Sequence, residues 1–325
     1  MSQFLVDRLF ENKDPSKPNF AFQSTINWMR ALALIVNNSS YIKEYLSETF
    51  AKVQRRKLNK QADDFVFENV LMALHYLASL HSMNHDVKHQ YDICRSAIIA
   101  WYYSTYFSCR AMIAAQSGEP KETHTANIKV WHRDIVENKL LPYPFNLHLS
   151  SLVKKKVKSE IQEYKQGNTH DVNTEPQDRE QAHGAIVSYL SGTADYQIKE
   201  IEKKVKSSKE FKKLGVDNFR TKAAQKLRDE SLDKHTVNFL TQAFRYRGKA
   251  NYRDSIFLSY GNHKEEKIKQ FTQDLLDVTT AFLRMASYYS ARRVEKGMWD
   301  LFVKDIEDNS RLSVGTEVLK YRKSR

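Results

Sequence analysis

The sequence predicts an all-α protein built from packed amphipathic helices. Three observations predict it. Apolar residues recur in steps of three and four, the period of a helix face. Glycine (9) and proline (6) are scarce in 325 residues, and the last 149 residues hold no proline at all. Chains of many short strands need glycine- and proline-rich turns, so this scarcity favours helices.

The elements follow in order. Residues 20–36 and 40–57 read as helices, the second entered through Asn38, Ser39 and Ser40. Over 64–83 the pattern sets Phe67, Val70, Leu71, Leu74, Leu77 and Leu80 on one stripe. The run Ala97 to Ala115 is apolar on nearly every face and reads as a buried core helix. It is long enough for a bilayer, but Arg110, the hydroxyls of Ser104, Thr105 and Ser108, and the thiol of Cys109 argue against a span. SGEPKET (117–123) ends that helix and LPYPFN (141–146) ends the next. In the polar loop 166–178, Thr174 and Gln177 match a capping box for a helix after Pro176. Residues 197–213 read as an exposed, charged helix. Over 264–293, Ile268, Phe271, Leu275, Val278, Phe282, Met285 and Tyr289 form an apolar seam. Residues 307–325 read as a short basic tail.

Composition narrows the function. Two cysteines, Cys94 and Cys109, are too few for a disulfide framework and fit a reduced cytoplasmic setting. The opening segment, with Asp7, Arg8 and Glu11, does not read as a secretory signal. Net charge is +13, of which +3 falls in residues 1–150 and +10 beyond them. Such an asymmetry points to a polyanionic partner, most often nucleic acid, or to a plain lysine-rich surface. Glycine-rich phosphate loops, the H-E-x-x-H and C-x-x-C patterns and the G-x-S-x-G elbow are all missing, so a nucleotide-hydrolysing motor or a Rossmann enzyme is not expected.

Several clusters bear on chemistry. His81, His85 and His89 stand at i, i+4 and i+8, a spacing that holds Zn²⁺ on a continuous helix. Asn84 and Asp86 predict a turn there instead, nothing completes a ligand set, and no metal or other cofactor is expected. Tyr102, Tyr103, Tyr106 and Phe107 suit base stacking, but at this spacing they are expected chiefly in the core. Arg245, Arg247, Lys249 and Arg253, interleaved with Tyr246, Asn251 and Tyr252, suit phosphate and base contacts. The same cations also suit a helix C-terminus. Lys154, Lys155, Lys156 and Lys158 form a second basic cluster, read equally as an electrostatic footprint or a solvated face.

One resemblance rests on short strings. Ala97, Ala100, Tyr102 and Tyr103 follow an A-x-x-A-x-Y-Y pattern with Ser104 where alanine is usual, and Thr123–His124 opens the next helix in KETHTANIKVW. Arg247, Ala250, Asn251 and Tyr252 follow R-x-x-A-D-Y, with asparagine for aspartate. Ala281, Phe282 and Leu283 echo a final A-x-x-F-L without its spacing. Together these strings, over 64–140 and 235–290, resemble the HEPN superfamily, nearest its Tyr-Tyr-Ala branch found with minimal nucleotidyltransferases. The resemblance implies N-terminal helices over 1–60, a bundle over 61–295 with an insertion at about 145–232, and a C-terminal helix and tail over 296–325.

It also implies RNA or nucleotide binding, with RNA favoured over DNA, and metal-independent ribonuclease activity in a toxin or antiviral system. In the nucleases of that family an arginine steadies the phosphate and a histidine, separated from it by four to six residues, does acid–base work. Here only Arg228 and His235 stand at that spacing, and 19 arginines with 11 histidines make one such pair an expected coincidence. They are the catalytic candidates. The alternative expectation is a non-catalytic subunit that docks a partner enzyme, such as a nucleotidyltransferase, and contacts nucleic acid. The resemblance implies a homodimer or a complex subunit.

Overall fold

The structure, a computed structural model, describes residues 16–37, 46–118, 120–251, 258–259 and 264–320, with positions 4 and 8 besides. Among the described residues there are twelve α-helices and no β-strand, so the chain is all-α. In chain order they are α1 (Ser16–Val36), α2 (Ser47–Phe50), α3 (Lys60–Asp86), α4 (Gln90–Ser117), α5 (His124–Trp131) and α6 (Lys154–Lys165). Then come α7 (Arg179–Ser207), α8 (Lys209–Lys212), α9 (Lys222–Leu232), α10 (Phe239–Asn251), α11 (Glu265–Arg293) and α12 (Met298–Asn309).

Helix α4 is the axis of the bundle, flanked by α3, α10 and α11, while α1 packs on α7 and α11. Its small residues let neighbours approach. Ser104 donates its hydroxyl to the Ala73 carbonyl of α3 at 2.8 Å, and Ser108 donates to the Ser104 carbonyl at 2.8 Å. Buried hydroxyls so paired carry no desolvation penalty. Cys94 and Cys109 are buried too, and burial pushes the Cys94 thiol up to about 12, so neither is a reactive thiolate. Gly118 ends α4 at φ 107°, a conformation that favours glycine. Among the described residues no helix is long and apolar enough to cross a membrane.

The seven-residue seam on α11 is buried throughout, as its spacing predicts. On α3 the stripe narrows. Val70, Leu74, Leu77 and Leu80 are buried, but Leu71 is 42% exposed. One helical step from Val70 turns it about 100° off the seam. Replacing Leu71 with lysine is therefore expected to change unfolding free energy by no more than about 0.5 kcal/mol in urea titrations.

Other elements depart from expectation. The helix expected over 40–57 stops at Phe50, and its Asn38–Ser40 entry lies outside the described residues. Residues 53–59 lie outside any helix; there Arg56 donates its amide to the Arg293 carbonyl at 3.0 Å and pairs its guanidinium with Asp63. Helix α7 is capped by Asp178, whose carboxylate accepts from the Gln181 amide at 2.8 Å, not by Thr174 with Gln177. The charged stretch 197–213 is split between the end of α7 and the short α8. The tail folds back as far as Leu319, whose carbonyl accepts from Trp299 Nε1 at 3.0 Å; residues 321–325 lie outside the described residues.

The segment between Leu149 and Val237 begins and ends side by side. Leu149 and Val237 exchange backbone hydrogen bonds of 2.7 and 3.2 Å, an isolated antiparallel bridge. Between them α6, α8 and α9 pack on α7, and the first half of α7 packs on α1.

Asp274 on α11 is a deeply buried carboxyl. Arg30 donates to its Oδ1 at 3.1 Å and Gln270 at 2.9 Å, while Oδ2 has no hydrogen-bond partner. Burial dominates these contacts and pushes its pKa up to about 6, against 3.8 for an ordinary aspartate. The native state therefore holds a proton the unfolded chain has released. That stabilisation is complete below about pH 3.8 and lost as pH rises through about 6. Asp274→Asn, which stays neutral, is expected to cost about 2–3 kcal/mol less at pH 8 than at pH 4 in paired urea titrations.

Candidate functional site

His124 is fixed as the first residue of α5. Thr123 caps that helix, its hydroxyl accepting from the Ala126 amide at 3.2 Å. Buried Asn127 clamps the preceding loop: its Nδ2 donates to the Tyr106 hydroxyl at 2.8 Å and to the Thr123 carbonyl at 3.0 Å, and its Oδ1 accepts from the Lys121 amide at 3.0 Å. Asn127→Leu would strand these groups, and a loss of about 2–4 kcal/mol is expected in urea unfolding, since each buried orphan costs roughly 1–3 kcal/mol.

Two helices, α4 and α10, bring aromatic and cationic groups to that histidine. The Tyr102 hydroxyl of α4 is 2.8 Å from His124 Nδ1. The Tyr106 ring lies 4.3 Å and the Phe244 ring 5.5 Å from the imidazole, centroid to centroid. Arg247 of α10 places its guanidinium 5.1 Å from both the Tyr102 and the Phe244 ring centroids. Its Nη1 donates to the Tyr103 hydroxyl at 3.3 Å, and its Nε is buried with no hydrogen-bond partner. Arg110 sits 5.9 Å from the Tyr106 ring and is anchored by Asn69 and the Lys121 carbonyl, each at 2.9 Å.

The electrostatics follow from this crowding. Burial lowers the pKa of His124, and the positive charges of Arg247 and Arg110 lower it further. The imidazole is thus neutral at neutral pH. Burial raises the Tyr102 phenol far above its usual range, against a smaller opposing pull from Arg247, so the hydroxyl keeps its proton. Two tautomers fit the 2.8 Å bond. With Nδ1–H donating to the Tyr102 oxygen, Nε2 carries a free lone pair; with Tyr102 donating to Nδ1, Nε2 carries the proton. The site therefore holds a histidine able to take or give a proton, beside two cations suited to an anion.

The other sequence candidates are dispersed. Arg228 turns to Asp229 at 2.8 Å and to the Phe219 ring at 5.5 Å, whereas exposed His235 bonds the Ser231 carbonyl at 2.8 Å. Among the described residues no contact joins Arg228 to His235. Each closes a local helix-end interaction instead. The α10 cations divide between two faces. Arg245 donates to Thr193 at 3.0 Å and Lys249 to Thr25 at 3.2 Å, toward α7 and α1, while Arg247 faces α4. Steps of four residues share a helix face and steps of two oppose, which is why the run is not one patch. Asn251 is half-buried at the end of α10; Tyr252 and Arg253 lie outside the described residues.

In the lysine cluster, Lys154 pairs with Glu202 at 2.7 Å and Lys156 with Asp233 at 2.8 Å, leaving Lys155 and Lys158 exposed. Tyr102 and Tyr106 are core residues, while Tyr103 and Phe107 are half-buried against Tyr76. Helix α3 continues through Asn84 and Asp86, where a turn was expected, because Asn84 is buried and donates to Gln273 at 2.7 Å. His81 and His85 face each other at 4.3 Å on that helix, and His89 lies beyond its end.

The pairing of His124 with Arg247 escaped the sequence reading. Both residues belonged to the strings that carried the family resemblance, but no spacing rule links positions 123 residues apart. No family model matches this chain, nor does any curated protein or solved structure.

Proposed function

We propose that the chain is an HEPN-like RNA-binding protein that cuts RNA without a metal ion, with His124 as proton-transfer group and Arg247 as phosphate-steadying cation. One observation carries the reading: a neutral histidine, oriented by Tyr102 at 2.8 Å, beside the guanidinium of Arg247. His124 Nε2 takes the proton of the ribose 2′-hydroxyl as that oxygen bonds to phosphorus. Arg247, with Arg110, offsets the charge that builds on the phosphate oxygens. The bond to the 5′-oxygen breaks, and that oxygen takes a proton from solvent. The products are a 2′,3′-cyclic phosphate and a 5′-hydroxyl. DNA lacks the 2′-hydroxyl and is bound without being cut.

A second reading, a non-catalytic subunit docked to a partner such as a nucleotidyltransferase or another defence enzyme, is favoured by how far aromatic rings and Tyr103 already engage Arg247. The test is incubation of purified protein with RNA and matched DNA in EDTA. RNA fragments with cyclic-phosphate ends and intact DNA are expected. No cutting of either, with or without magnesium, would overturn the cutting reading in favour of docking.

A further inference from the structure

A large groove lies away from the residues around His124. It spans about 840 Å³ between α6 and α7, with Val157, Ile161 and Ile198 among its lining. The α6 wall, from Lys154 to Lys165, runs about 17 Å at 1.5 Å per residue. A second depression of about 400 Å³ adjoins it, sharing Lys199 and Glu202. Together the two are lined by six lysines against three carboxylates. Two of those carboxylates are already paired, Glu202 with Lys154 and Glu200 with Lys203, both at 2.7 Å. Lys158, Lys165, Lys199 and Lys206 form no ion pair among the described residues.

The second depression also contains Tyr196, 47% exposed, with the Arg245 guanidinium 5.0 Å from its ring centroid. An exposed aromatic ring backed by a guanidinium is a stacking platform for a base. Arg245 stands two residues before Arg247 on α10, on the opposite flank of that helix. The tyrosine platform and the His124 site thus each take an arginine from α10, on opposite flanks of that helix.

We propose that the α6–α7 groove and the Tyr196–Arg245 platform form a tract that holds the backbone of single-stranded RNA extending from the His124 site. This rests on the reading of that site as RNA-cutting. The lysines contact phosphates with little regard for sequence, and Tyr196 stacks one base between groove and site. An acidic peptide would use the lysines but leave the platform idle.

The test uses the full chain carrying His124→Ala, so that RNA stays intact, and a fluorescent oligouridylate followed by anisotropy across a salt series. Lys158→Glu with Lys199→Glu is expected to weaken binding at least tenfold. It should also lower the slope of log affinity against log salt by about 1.4, two phosphate contacts at about 0.7 each for a single strand. Lys158→Gln with Lys199→Gln should lower the slope equally, which separates lost contacts from charge repulsion. Tyr196→Ala is expected to weaken binding roughly tenfold with the slope unchanged. Lys57→Glu with Lys60→Glu, the same charge change outside the tract, should do neither.

In a His124-containing chain, the groove variants should slow cutting of long RNA but not of a dinucleotide, which reaches only the His124 site. Equal loss in groove and control variants overturns the tract and leaves the cutting site standing. Displacement of RNA by polyglutamate at matched charge, with Tyr196→Ala silent, overturns RNA as the occupant in favour of an acidic protein. No RNA binding by any form at low salt also overturns the tract, and the cutting reading is then decided by the EDTA assay.

Discussion

His124→Ala is expected to lower metal-independent RNA cutting by about 10²–10⁴-fold, the usual worth of a positioned proton-transfer group. The fold should persist, because the imidazole is half-exposed and its loss strands a single buried group, the Tyr102 hydroxyl, at about 1–3 kcal/mol. Rate against pH provides an independent check. The group must be unprotonated to accept the 2′-hydroxyl proton, and burial with two flanking arginines holds its pKa below 6.5. Cutting should rise with pH through a midpoint below 6.5 and level off by about pH 7. Arg247→Ala should remove one of the two depressing charges and move that midpoint up, besides slowing the reaction. A wild-type midpoint above 7, or a His124→Ala rate within threefold of wild type, would take the chemistry away from this residue.

The largest stability effect is expected at Trp28. Its buried ring stacks on Tyr189 at 4.1 Å and meets Tyr246 at 4.9 Å, Trp101 at 5.9 Å and Phe239 at 6.1 Å. Four helices therefore meet on one side chain: α1 carries it, and α4, α7 and α10 supply its neighbours. Trp28→Ala should cost about 3–5 kcal/mol, the range for deleting a large buried aromatic. That is a large share of the roughly 5–15 kcal/mol typical of a whole domain. Trp28→Phe keeps a ring in the nest and should cost clearly less. Urea titrations of both variants decide the matter; a loss below about 1 kcal/mol for alanine would mean that the nest collapses around the gap.

What the sequence made legible was local. Helical phase is set by neighbours three and four residues away, so the α11 seam and the buried α4 could be read directly. Leu71 was misassigned because the width of a buried stripe depends on which helix lies opposite, and no local pattern encodes that. The cap of α7 falls on Asp178 and not on Thr174; both residue types are competent caps, so residue type alone does not choose between them. The cationic run on α10 read as one patch only while its residues were considered along the chain; wound at 3.6 residues per turn it separates into two. The candidate site needed Tyr103 and Arg247 to meet across 144 positions, and spacing rules do not reach that far.

The bridge between Leu149 and Val237 has an evolutionary consequence. The excursion it closes begins and ends within a single pair of facing residues, and meets the bundle elsewhere through α7 and the loop before it. Segments attached in this manner can lengthen, shrink or be exchanged without re-threading the body that bears them. The first half of α7 is the exception, being rooted under α1. Divergence among distant kin should therefore concentrate in α6, α8 and α9, with the root of α7 kept.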